Sequence, residues 1–265
     1  MLGFADPILG GTLVKTLARS IAAAALLLVF VPNPASANHA WANYHWARQS
    51  NPFTVVLLDG VSSAWDASLT QASADWSKST VLDTVVVASS TNPKSCKATT
   101  GKVQVCSAAY GNRGWLGVAQ IYVNGDHITQ GTVRLNDTYF APGSSYDTQA
   151  WRNLVTCQEV GHTFGLDHQD EIFDNPNLGT CMDYTNDPST NQHPNKHDYD
   201  ELAIIYKHLD STTTVAPAAA LGGAGSHGTR GWGQAMRTSG HGRPSTFVRE
   251  LRSGQRVVTF VIWAR

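Results

Sequence analysis

The run Gln158-Glu159-Val160-Gly161-His162-Thr163-Phe164-Gly165-Leu166-Asp167-His168 decides how this chain is read. A helix turns about 100° per residue, so Gln158 and His162, four apart, project within about 40° of each other. Glu159 lies beside them. Gly165 tolerates positive φ and can turn the chain sharply, bringing His168 back toward the same point. Two imidazoles, one amide oxygen and one carboxylate then converge. Imidazole is a common zinc ligand, and a catalytic zinc keeps one position for water. The carboxylate is placed to take a proton from that water.

Working outward, Asp147 to Phe164 reads as the helix that carries this run, with Asp147 as N-cap and Gly165 as its stop. Upstream, Phe53 to Asp59 is an apolar, β-branched run that reads as a buried strand. Ser63 to Ser79 places Trp65, Leu69, Ala72 and Trp76 at helical spacing. Leu82 to Ala88 is a second strand, and the strand–helix–strand order predicts a parallel pair with a helical crossover. Val103 to Ala108, Trp115 to Val123 and Gly131 to Leu135 are further strands. A last helix is expected from Asp198 to His208, with Asp198 and Glu201 at capping-box spacing. The fold class is α/β in the α+β sense.

Composition narrows the function classes. Of 265 residues, 42% are hydrophobic and 15% charged, with a formal net charge of −1. No basic field exists for a nucleic-acid backbone, so no nucleic-acid partner is expected. Residues 1–37 read as an export signal: Lys15 and Arg19, an apolar run from Ser20 to Val31, Pro32 and Pro34, then Ala35-Ser36-Ala37 as cleavage site. The apolar run is short for a membrane span, which needs about 20 residues. Cleavage after Ala37 leaves 228 residues, secreted and extracellular, with no membrane partner. In that oxidising compartment the four cysteines are expected in disulfides.

The motif resembles the metzincin zinc peptidase signature H-E-x-x-H-x-x-G-x-x-H, with Glu159, His162, Gly165 and His168 matching in type and spacing. Cys181-Met182-Asp183-Tyr184, with Met182 14 residues after His168, looks like the family's Met-turn. The resemblance extends over Phe53 to Leu209 and is nearest to small secreted bacterial peptidases of matrixin or snapalysin type. It implies a metzincin-like catalytic domain over residues 38–210: a twisted mixed sheet, active-site helix, Met-turn and C-terminal helix. It also implies a monomeric secreted zinc endopeptidase acting on a protein or peptide substrate, with Glu159 as general base and His162 and His168 as metal ligands. Gln158 stands where the family has His, and an amide oxygen is a poorer donor than imidazole. Either Gln158 ligates zinc weakly, or Tyr184, two residues after Met182, takes its place, or the site is empty. In the last case the chain is a pseudopeptidase that binds extracellular peptides or proteins.

Further expectations follow from the resemblance. A Cys157–Cys181 bridge would tie the motif helix to the Met-turn and Cys96–Cys106 would close a short loop, although four cysteines allow three pairings. Trp115 to Val123 takes the place of the edge strand above the active-site helix, with free backbone groups for an extended peptide. Cys96 is the first cysteine, so no upstream thiol latch is expected. Asp167, Asp170, Glu171 and Asp174 form an acidic loop that could offer oxygens to Ca2+ but lacks EF-hand spacing, and reads better as a solvated loop. His193 and His197, four apart but separated by Pro194, read as loop residues. Residues 211–225 read as a linker and 226–265 as a small C-terminal segment whose strands, Thr246 to Leu251 and Arg256 to Trp263, form a hairpin around Ser253-Gly254. That hairpin is too small to hold a core alone and is expected to dock on the catalytic domain or on a partner.

Overall fold

The computed structural model describes residues 39–217, 231–238 and 242–265. The proposed signal, and most of the linker, lie outside the described residues. One mixed sheet organises the rest. Its strands are β1 (His45–Trp46), β2 (Phe53–Gly60), β3 (Leu82–Ala88), β4 (Val103–Ala108), β5 (Trp115–Asn124), β6 (His127–Asn136), β7 (Gln234–Thr238), β8 (Pro244–Glu250) and β9 (Gln255–Trp263). The spatial order is β3-β2-β4-β6-β5-β9-β8-β7, with β1 alongside β6. The half from β3 to β6 is parallel. From β6 to β7 every pairing is antiparallel. Buried parallel strands read as continuous apolar runs, which is why Phe53–Leu57 is legible in the sequence.

Helix α1 (Asp66–Trp76) crosses from β2 to β3 as the spacing predicts. Leu69, Ala72 and Trp76 form its buried stripe, and Trp65, expected within the helix, is its N-cap residue. The indole N–H of Trp76 donates to the Cys157 carbonyl at 3.1 Å, which fixes α1 against α2 (Gln149–His162).

Two helix starts differ from the sequence reading. The N-cap of α2 is Thr148, whose hydroxyl accepts from the Trp151 N–H. Asp147 instead accepts from Arg152 at 2.7 Å and from the Gly143 N–H. Helix α3 (Lys196–Ile205) starts at Asn195, which accepts from His197 and Asp198 while Asp198 accepts from the Asn195 N–H. Asp198 is therefore the third residue of a capping box rather than its first. In both cases a neighbouring side chain of equal capping ability sits one to three residues away, and tertiary packing chooses between them.

The tail is not peripheral. β9 runs antiparallel along β5, with Ala119 opposite Phe260 and Gly117 opposite Ile262. Val258, Phe260 and Ile262 enter the main hydrophobic core. The expectation that β5 is an edge with free backbone groups is thus overturned: β6 takes one side and β9 the other. Both expected disulfides, Cys96–Cys106 and Cys157–Cys181, are formed.

Candidate metal centre

Helix α2 ends where the motif predicts a turn. Gly165 has φ +94°, and a Cβ there would strike the Tyr44 carbonyl oxygen, so the position requires glycine. The turn returns His168 to His162, with their Nε2 atoms 2.9 Å apart. Each ring is oriented from its far side. His162 Nδ1 donates to the Leu166 carbonyl at 2.9 Å, and His168 Nδ1 donates to the Glu171 carboxylate at 2.9 Å. Both Nε2 atoms are then left as lone pairs facing one another. Burial, then the neighbouring His168, holds His162 well below its usual pKa, which favours the neutral imidazole.

Gln158, Glu159 and His162 are 0% exposed, and His168 is 3% exposed. The Gln158 amide N–H donates to the Cys181 carbonyl at 2.8 Å, while its Oε1 is buried without a partner. Both Glu159 oxygens are buried with no side-chain donor, and the nearest donors are the backbone amides of Ile262 and Ala119. Burial pushes the Glu159 carboxyl well above its usual range, an effect that the backbone amides of Ile262 and Ala119 offset only in part. Gly117 makes room for it: a Cβ there would come within 2.7 Å of Glu159 Cγ and Oε1. Met182 is fully buried beneath the helix, and its sulfur would lie 2.8 Å from a Cβ at Gly161.

Tyr184 packs its ring 4.5 Å from that of His168, but its hydroxyl donates to the Val261 carbonyl at 2.7 Å. Burial, followed by the charges of Glu171 and Glu159, drives its pKa well above 10.0 and disfavours phenolate. Phe260 stacks on His162, centroids 4.3 Å apart and planes within 5°. Strand β9 therefore seals the site from above with Phe260, Val261 and Ile262.

The acidic loop is spent on partners within the chain. Asp167 pairs with Arg237 at 2.7 Å, Glu171 accepts from His168 and Ser245, and Asp174 pairs with Arg265 at 3.0 Å. Nothing here supports Ca2+. His193 pairs with Asp75 at 2.6 Å and His197 stacks on His39, so neither joins the motif. Sequence reasoning missed Gly117, Phe260 and Val261 as site residues, and missed Glu171 as the partner of His168. Only the apolar run Val257–Ile262 hinted at burial, and nothing in it named the site.

A zinc ion fits this donor set. Two lone pairs 2.9 Å apart demand an electrophile between them, Glu171 supplies the carboxylate–histidine support such ligands use, and Gln158 Oε1 is an orphaned buried acceptor.

No family model matches the chain, and no curated protein matches it. Among solved structures it is similar to high choriolytic enzyme 1, a hatching enzyme zinc protease from Oryzias latipes (medaka fish). The identity is 12%, with 62% of this chain and 94% of that chain covered and a TM-score of 0.33. It is also similar to myroilysin, at 13% identity, 64% and 98% coverage and a TM-score of 0.38.

Proposed function

We propose that this chain is a secreted zinc endopeptidase folded in a closed form. The observation that carries the reading is the convergence of the His162 and His168 Nε2 atoms, with the Glu159 carboxylate one helical position from Gln158. His162 and His168 would hold the metal, with Gln158 Oε1 as third donor. Bound zinc supplies Lewis acidity to the scissile carbonyl and lowers the pKa of water. Glu159 takes the proton of the attacking water at its carboxylate and delivers it to the leaving amine. With Phe260, Val261 and Ile262 over the site, no extended peptide can reach Glu159, so the working form needs β9 displaced. Its departure would free the β5 edge over Gly117–Asn124, where an extended peptide can pair as β9 now does. Export is supported by the signal-like start and the two disulfides.

The second reading, a pseudopeptidase, is favoured by the Gln158 contact to Cys181, which replaces a metal-directed imidazole with an amide already engaged on one side. One set of variants separates the two. In the full chain, Glu159→Ala should abolish casein hydrolysis and leave zinc content unchanged, whereas His168→Gln should remove both. Gln158→His should tighten zinc binding if position 158 points at the metal. Hydrolysis that survives Glu159→Ala sinks the mechanism, and a zinc content unaffected by His168→Gln sinks the site.

A further inference from the structure

A second gathering of imidazoles lies where β1, the β5–β6 turn and the segment after α3 meet. Parallel pairing of β1 with β6 sets His45 opposite His127. Chain leaving α3 brings His208 and Asp210 to the same place. Around Asp210 Oδ1 stand His127 Nε2 at 3.2 Å, His45 Nε2 at 3.5 Å and His208 Nε2 at 3.8 Å. His45 Nε2 and His208 Nε2 are 3.2 Å apart. Zn–N bonds of 2.0–2.1 Å at tetrahedral angles place donor atoms about 3.3 Å from each other. The four separations bracket that value.

Two features orient the donors. His45 is 5% exposed, and its Nδ1 donates to the Asn43 carbonyl at 2.6 Å, which leaves Nε2 as a lone pair aimed into the cluster. Asp210 is steered by buried Arg48, whose Nη1 holds Oδ2 at 3.0 Å and whose backbone N–H donates to the same oxygen at 3.1 Å. Arg48 Nη2 also donates to the Tyr206 and His208 carbonyls, fixing the loop that carries the ligands. Oδ1 is thereby turned to the imidazoles. Because Arg48 draws on part of the carboxylate charge, the imidazoles carry most of the donation.

We propose that His45, His208 and Asp210 form a Zn2+ site, with His127 hydrogen-bonded to the Asp210 carboxylate beside it. The nitrogen-rich donor set selects Zn2+ over Ca2+ or Mg2+, which take oxygen. Three protein ligands hold the ion and leave its fourth position to water. Its effect is to staple the segment before β2 to the chain after α3, joining residues 163 apart in sequence. It shares no residue with the His162–His168 centre and stands whether or not that centre is catalytic.

The test uses the full chain, stripped of metal and titrated with Zn2+ alone. Relative to wild type, His208→Gln should bind one zinc fewer per chain. His208 is exposed, so the variant should fold. Zinc at 100-fold above Kd should raise Tm by roughly 5–10 °C through this site, and His208→Gln should lose that increment. As a second measurement, nitrogen NMR should show the His45 and His208 Nε2 signals shift with the first equivalents of zinc and stop titrating with pH. Equal zinc stoichiometry in wild type and His208→Gln overturns the proposal, as do His45 and His208 signals that titrate freely in saturating zinc. Either result would leave only a hydrogen-bonded imidazole–carboxylate cluster.

Discussion

His162 and His168 lie six residues apart and are sealed beneath β9, whereas His45, His127 and His208 are drawn from distant segments and the last two remain partly open to water. Both clusters bring Nε2 atoms to about the separation that a metal imposes. They differ in what surrounds them. The first has a carboxylate, Glu159, with no side-chain partner, and an apolar strand as roof. The second has a carboxylate, Asp210, tied down by Arg48. A group kept dry and without a side-chain partner is suited to react once water enters, and a group with every oxygen engaged is suited to hold.

The comparison breaks most visibly if the roof is dispensable to the fold. Phe260 is fully buried and stacked on His162, so Phe260→Ala should cost about 3–5 kcal/mol in urea unfolding. A cost below about 1 kcal/mol would mean that β9 is only laid on the surface. Next in size, Phe260→Ala in the full chain should raise casein hydrolysis at about 25 °C, because a covered site is competent only in a minor fraction of molecules and a loosened roof enlarges that fraction. Equal rates would show that β9 does not restrain activity.

The smallest expected effect sharpens the electrostatic side. Burial raises the Glu159 pKa above 4.5, so the closed state holds a proton that the unfolded chain releases. The stability this contributes is fully present below about pH 4.5 and is lost as pH rises toward the raised value. For one proton the slope is at most about 1.4 kcal/mol per pH unit. In metal-free protein, Glu159→Gln should therefore gain on wild type in urea midpoint between pH 4 and 8. A constant gap between the two would contradict the buried, protonated carboxyl.

Much of this was legible because it was local. Helix spacing placed Gln158, Glu159 and His162 together, and Gly165 announced the return of His168. The apolar runs of β2, β4 and β5 announced a buried sheet, and the tail strands were readable as β8 and β9. Helix caps were less legible, since Thr148 and Asn195 compete with Asp147 and Asp198 and only packing decides among them. The fate of β5 was not legible at all. Its sequence suits an edge or an interior strand equally, and the difference lies 139 residues away, where Thr259 meets Gln120.

The sequence by itself determined the convergence of His162 and His168, because a motif on one helix and one glycine turn needs only the helical period and the glycine φ to form. It also determined the α/β order of the five strands β2 to β6, through runs of apolar residues flanked by turns. Only the tertiary structure decided that the motif is roofed by the chain's own end, and that His45, His127, His208 and Asp210 share a point in space. Such long-range pairings depend on sheet register and on which apolar face finds which. No period within a short window encodes that.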